Sequence, residues 1–385
     1  MNILKMGGNN MSRTYTPGLK VLHHSAVRKT RQLPMKGEVH LSVGDDVQPH
    51  DVVASTHIPG NVHMINAAIQ LNVEPENVPE CMVVKIDEPV KKGQMIAESK
   101  GIFGFFKSKV TSIIDGTLGN VSGVTGQIIL NEPPIPIEVD AYTSGKVVEV
   151  IPEEGLVVET DAAIIQGILG ISGENRGDIC IISENPDEEL TADLINESHK
   201  DKIIVGGSFI SLNAFKKAIE MKVSAVVVGG FNYTDITHLL GYNLGVAITG
   251  SEDIHTTLVI TEGFGKIAMA NRTFNLLKEH DGDFAAINGS TQIRAGVIRP
   301  EVVIPLPNSS GDAVEFDETG VSTDVGSLVR VIRAPYFGQV GTVSGLPAPL
   351  VKMESETMVR VAEIEFADGT VKTIPRANLE MILTD

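Results

Sequence analysis

The chain has 385 residues and carries 49 acidic against 31 basic side chains, a formal net charge of −18. An acidic surface repels phosphate, which argues against nonspecific binding to nucleic acid or to an anionic membrane; apolar runs such as 224–228 also fall far short of the roughly 18 residues of a membrane span. A hydrophobic content of 42% with 38 Gly, only 4% aromatics and no Trp points to a real core built from strands and tight turns, over about two to four domains.

Residues 1–35 read as a basic arm. Lys5, Arg13, Lys20, Arg28, Lys29, Arg31 and then Lys36 stand there without one acid before Gly37. Such an arm meets RNA, an acidic partner or a neighbouring subunit, or it is a solvated tail. Within it "GGNNM", residues 7–11, is what a ribosome-binding sequence would give if translated. Met11 is therefore the expected natural start, and the intact mass of the native protein tests that. Cys81 and Cys180 have no metal-ligand spacing, and no apolar leader is read, so a reducing, cytoplasmic home is expected.

Residues 36–176 alternate short strands with Gly turns. "GEVHLSVGDDVQPHDVVAST" turns at Gly44-Asp45-Asp46, and "CMVVKIDEPVKKGQMIAES" turns at Gly93. "NVHMINAAIQLNV" reads as a short helix or buried connection inside an all-β unit. From 177 to 307 the pattern changes. "DKIIVGGS", "VSAVVVGG", "GVAITGS" and "TTLVITEGFG" are buried strands, alternating with helical spacing in "ISLNAFKKAIEMK", "YTDITHLLG" and "KIAMANRTFNLLKEH". Fully apolar strands between helices predict a mostly parallel sheet covered on both faces. Residues 308–323 are polar and acidic and read as a linker. Residues 324–385 alternate again, with a hairpin turn at Asp368-Gly369, and read as a small five-stranded barrel.

Three resemblances follow. "VGDDVQPHDVVA", "VKKGQMIAES" and "IIDGTLGNVS" resemble the barrel-sandwich hybrid, the fold of biotinyl and lipoyl carriers, which also occurs unmodified in large complexes. Carriers show their lysine at a tight hairpin tip. Here Lys100, Lys107 and Lys109 instead flank "GIFGFF", whose Phe103, Phe105 and Phe106 pack beneath the loop or form a contact patch, so no biotinyl or lipoyl lysine and no cofactor is expected. "GSLVRVIRAPYFGQVGTV" is similar to the KOW class of SH3-like barrels. That resemblance implies a contact surface for protein or RNA at Arg330, Arg333, Tyr336 and Phe337; the acidic surroundings put protein first. The middle segment resembles Rossmann-like binding folds. In such sheets ligands sit beyond the carboxyl ends of strands, here Gly206, Gly207, Gly229, Gly230, Thr261, Glu262, Gly263 and Gly265. "TEGFGKIAM" reads as strand, Gly-x-Gly and helix, and bare N–H groups with Lys266 would hold an anion. Ala268 stands where a dinucleotide fingerprint would place its third glycine.

Other polar constellations are weaker. Glu252, Asp253 and His255 suit acid–base work if they converge; a polar surface loop gives the same text. His57 and His63 lack a third metal ligand. Arg294 and Arg299 face opposite sides of a regular strand unless Gly296 bends it; Arg294 is the better functional cation, with Glu262 or a bound anion as its partner.

The expected protein is thus multidomain, α/β plus all-β: barrel-sandwich hybrid, Rossmann-like domain and KOW/SH3-like barrel. Its leading reading is a non-catalytic binding or assembly subunit of a larger cytoplasmic complex, sensing a small anionic ligand at the α/β strand ends. Protein partners and a homo-oligomer fit it, and a membrane does not. The alternatives are a transcription- or translation-associated factor touching RNA or the ribosome, and an enzyme or redox subunit using the α/β cleft.

Overall fold

The computed structural model describes residues 19–100, 107–241, 249–292, 298–307, 323–333, 335–336, 339–352 and 358–383. The chain is mostly β, 47% strand against 14% helix, with mixed sheets. Among the described residues no helix is long and apolar enough to cross a membrane. The expected start at Met11, Lys5 and Arg13, the three Phe of 103–106, Arg294, Phe337 and nearly all of the 308–323 linker lie outside the described residues.

Strand β1 (Leu19–Gln32) occupies the place of the expected basic arm. It pairs over almost its full length with a strand some 130 residues later, from Val21 opposite Ile165 to Gln32 opposite Gly155. The reason is visible in its side chains: Leu19, Val21, Leu22 and Val27 are buried, and the basic residues that follow them find acids inside the chain. Arg28 pairs with Glu159 at 2.7 Å, Lys29 with Glu301, and Arg31 with Glu174 at 2.6 Å and Asp140 at 3.2 Å. From residue 19 onward the arm is therefore a structural strand, and the charge asymmetry of the sequence is neutralised by internal ion pairs.

The next part is a β lobe. Its main strands are β2 (Val52–Ile58), β3 (Val62–Asn66), β4 (Gly116–Val121), β5 (Gln127–Asn131) and β6 (Ile135–Asp140), with the short helix α1 (Ala67–Leu71) after β3. β3, β5 and β4 lie side by side antiparallel, and β6 pairs with β2. One core gathers Ile65, Leu71, Ile96, Leu118, Ile128 and Leu130. A second gathers Leu33, Val47, Val53, Val147, Leu156 and Val158. The turns at Gly44 and Gly93 take φ of 98° and 84°, which only glycine adopts without cost.

Strands β7 (Gly145–Ile151) and β8 (Gly155–Gln166) lead out of the lobe. They are followed by β9 (Leu169–Ile171), β10 (Glu174–Ile181), β11 (Ile203–Val205), α2 (Leu212–Glu220), β12 (Ala225–Phe231), α3 (Tyr233–Leu240), β13 (Thr257–Phe264), α4 (Asn271–Glu279), β14 (Phe284–Asn288) and β15 (Glu301–Pro305). The last segment supplies β16 (Leu328–Val331), β17 (Val340–Gly345), β18 (Val361–Phe366), β19 (Val371–Pro375) and β20 (Leu379–Leu383). One sheet runs through all of this in the order β9, β13, β12, β11, β10, β14, β15, β8, β1, β20, β16, β17, β18, β19. β10 to β13 are parallel neighbours; the pairs that flank them are antiparallel. β10 runs across position 176/177, where a domain boundary was expected, and its pairing partners on both sides of that position, β14 and β11, belong to the α/β part. β1 also meets β20, with Leu19 beside Ile382 and Lys20 beside Leu383.

Alternation along the apolar strands sorts them onto two faces. Ile203, Val205, Ala225, Val227 and Val259 pack on Phe274 and Leu277 of α4. Ile204, Val226, Val228, Leu258 and Ile260 pack on Phe215 of α2 and Ile236 of α3. Helix α2 starts where Ser211 accepts a hydrogen bond from the Ala214 N–H, a standard N-cap. The C-terminal strands enclose a separate core of Val329, Val331, Val343, Ile364, Ile374 and Leu379.

Candidate functional site

The expected glycines do gather at the carboxyl ends of β11, β12 and β13, where Gly230 lies opposite Gly263. They do not form an anion cradle. A side chain on Gly230 would lie 1.9 Å from the Gly265 carbonyl oxygen, one on Gly229 2.2 Å from that of Ile267, and one on Gly207 2.5 Å from those of Asn185 and Glu188. At these three positions the chain's own carbonyls fill the space, whereas around Gly265 it is open. The N–H groups are used as well: Gly229 donates to Gly207, Gly265 to Phe231, Ile267 to Ser208 and Met269 to Pro186, at 2.8–3.2 Å. Gly263-Phe264-Gly265 does not open a helix, because α4 begins only at Asn271. Lys266 pairs with Glu189 at 3.2 Å.

Topology explains the closure. A crevice opens at strand ends where consecutive parallel strands diverge to opposite sides of a starting strand. Here β10, β11, β12 and β13 are laid side by side in chain order, with α2 and α3 on the same face. The order reverses only when α4 carries the chain back to antiparallel β14.

The open space lies next door, on the α4 face. A cavity of about 740 Å³ is bounded by Thr261 and Glu262 of β13, by 269–273 leading into α4, by Leu19 and Val21 of β1 and Gln166 of β8, and by Leu328, Arg330, 340–342, 365–367 and Ile382 of the C-terminal strands. Its volume is that of a small-molecule site. Leu19, Val21, Met269 and Phe366 are buried wall residues, whereas Thr342 and Glu365 are exposed at the mouth.

Charges are concentrated beside this cavity. Arg330, only 3% exposed, pairs with Glu380, which also holds Arg299. The Nη1 of Arg330 donates to the carbonyl oxygens of Glu262 at 3.2 Å and Thr261 at 3.4 Å and stands 3.7 Å from Glu262 Oε2. Glu262, 6% exposed, accepts from the Ala270 N–H through Oε1 at 2.9 Å. Helix α4 has no capping side chain at Ala270, and Glu262 supplies the negative charge that a helix start favours. Burial pushes the Glu262 carboxyl above the ordinary carboxylate value; the Ala270 N–H and Arg330 pull the other way without cancelling it.

Of the contact surface expected from Arg330, Arg333, Tyr336 and Phe337, the place of Arg330 is corrected, and Phe337 lies outside the described residues. Arg330 is turned into the junction, where β16 alternation places it toward β13. Arg333 is exposed. The ring of Tyr336 rests on Phe366 with centroids 5.7 Å apart. Sequence reasoning named Glu262 but paired it with Arg294, and it passed over Glu380. No local signal marks it: an acid between Leu379 and Met381 is the ordinary alternation of a half-buried strand, and it is the packing of the other face that buries Glu380.

Glu252, Asp253 and His255 precede β13, so they sit at the opposite end of that strand from Glu262. Glu252 Oε2 accepts from the N–H groups of Ser172 and Gly250, both at 2.8 Å, while Asp253 and His255 are exposed. That carboxylate shapes a turn. His63 pairs with Glu132 at 2.8 Å. Lys100 pairs with Glu80 and Lys107 with Glu98, each at 2.8 Å. Among the described residues no group of three His, Cys, Asp or Glu is placed to hold a metal.

A second charged cluster joins the β lobe to the main sheet. Arg31 and Arg176 both hold Asp140, and Arg176 donates to the Pro49 carbonyl. Burial opposes the charge of Arg31, but Glu174 and Asp140 outweigh it and leave its pKa raised. Tyr142 lies beneath, its ring centroid 5.3 Å from the Arg31 guanidinium carbon, and burial pushes its hydroxyl well above the usual phenol value.

Compared with family models and with curated proteins, the chain matches none of them.

Proposed function

We propose that this protein is a non-catalytic binding or assembly subunit that holds a small molecule where its C-terminal strands meet the α/β part. The observation that carries the reading is the cavity of about 740 Å³ between β13, α4, β1 and the C-terminal strands. Its walls come from segments far apart in sequence, so a bound molecule would bear directly on how the C-terminal strands sit against the rest of the chain. The parallel run β10–β13 with helices on both faces supports a Rossmann-like origin for the middle part. The antiparallel strands β16–β20 around their own core support an SH3-like one for the C-terminal part, and the β lobe is compatible with an unmodified barrel-sandwich hybrid. Binding modules of these kinds are at home in larger cytoplasmic complexes.

Native mass spectrometry of the protein isolated gently from its own cells tests the proposal. The expected result is a small-molecule adduct or a protein partner, the adduct being lost when the mouth is blocked by Thr342→Trp. A chain that carries neither, or one whose purified form turns over a metabolite until a single polar side chain is replaced, would refute it.

A further inference from the structure

The identity of the cavity's preferred ligand class follows from which hydrogen-bonding groups near it are already used. This inference rests on the cavity being a binding site. Arg330 is held by Glu380 and by two backbone carbonyls, and Arg299 is held by the same Glu380. Glu262 spends Oε1 on the Ala270 N–H; its Oε2 has Arg330 Nη1 at 3.7 Å, beyond hydrogen-bond length. The Thr261 side chain also hydrogen-bonds this carboxyl group, and because each carboxylate oxygen has two lone pairs the capacity Glu262 still offers the cavity is that of an acceptor. Glu380 is thus paired with Arg330 and the half-buried Arg299, and Arg330 also stands by Glu262, so a ligand that brings a net charge adds one without a dedicated partner among these groups. The apolar part of the wall is formed by Leu19, Val21, Met269, Leu328, Val340 and Phe366.

We propose that the cavity takes an uncharged molecule with an aliphatic body lying along that wall and a hydrogen-bond-donating head, an alcohol or amide N–H, seated against Glu262. This departs from the anionic ligand expected at the strand ends. An anion would face Glu262 directly, and the cation nearest to it is already engaged. Among the described residues of the wall the other cation is Arg272, in the first turn of α4, which contacts His23 Nδ1 at 3.4 Å.

Four probes of matched length test it by thermal shift and by isothermal titration on the full chain: 1-octanol, heptyl methyl ether, octanoate and octylammonium, each below its aggregation concentration. Octanol is expected to bind, and to bind about tenfold more tightly than the ether, which lacks the donor; the two charged probes bind more weakly than octanol. Thr342→Trp, at an exposed mouth position, should abolish the octanol signal while the protein still melts cooperatively, which separates the cavity from nonspecific uptake. Ether equal to octanol would remove Glu262 as the seat of the head and overturn the proposed class while leaving the cavity reading intact. Octanoate as the best probe would overturn the class in favour of an anion at Arg272. Absence of binding by all four, or binding indifferent to Thr342→Trp, would sink the cavity reading and the ligand class with it.

Discussion

Replacing Arg330 by Met removes the cation at the centre of the junction while keeping an aliphatic chain in the space. Arg330 is 3% exposed and Glu380 6%, so neither group can turn to water when its partner disappears. Removing one member of a buried pair costs about 3–5 kcal/mol, mostly because the other charge is stranded. Here Glu380 retains Arg299 and Glu262 retains the Ala270 N–H, which places the expected loss at the lower end, about 3 kcal/mol. Hydrogen exchange resolved by peptide locates the loss within the chain. Amides of β16 and β20 should exchange about 100-fold faster in Arg330→Met, whereas β2 and β6 in the distant lobe should be unchanged. Adding Glu380→Gln should cost less than the sum of the two single changes, because the pair acts as a unit. The reasoning fails if exchange in β16 rises by less than about fivefold, if the whole chain loosens equally, or if the two substitutions are additive within about 0.5 kcal/mol.

Three further outcomes follow from the same geometry. Gly230→Ala, whose new methyl would stand 1.9 Å from the Gly265 carbonyl oxygen, should cost about 4 kcal/mol or prevent folding; Gly241→Ala, with open space around it but φ of 75°, should cost only about 1 kcal/mol, and equal melting temperatures for the two would contradict the close-approach argument. Glu262 has its carboxyl raised above 4.5 by burial, so the fold holds that proton more tightly than the unfolded chain, and the stabilisation present below that pH is lost as pH rises through the folded value. Glu262→Gln cannot ionise and escapes this loss, so its melting temperature relative to wild type should become more favourable from acid to neutral pH; a flat or opposite trend counts against burial as the dominant influence. Arg31→Ala leaves Glu174 without this cation and Asp140 with Arg176 as its remaining one; because both carboxylates reach water it should cost about 1–2 kcal/mol, seen as faster limited proteolysis between the β lobe and β8, and unchanged cleavage would show that Arg176 alone secures that joint.

Local pattern was enough for much of the architecture. Alternation marked the strands of the β lobe and of the C-terminal segment. Glycines at 44, 93 and 369 marked turns that take positive φ, and the wholly apolar runs at 203–205, 225–228 and 258–260 marked the buried parallel strands. These features are legible because side-chain period and turn chemistry act between residues a few positions apart.

The position of the basic segment was not legible. Nothing near Lys29 or Arg31 announces Glu301 or Asp140, because an ion pair across 272 or 109 positions leaves no local period. The glycine-rich strand ends were read as a cradle because a glycine needed for close backbone approach and one needed for a bound anion look identical in sequence; only the paths of 183–190 and 263–270 decide between them. The same holds for the cavity. Composition and periodicity set which faces are apolar, but which faces meet, and what gap they leave, depends on strand order. That order placed β20 beside β1 and turned Arg330 from an expected surface residue into the buried partner of Glu380.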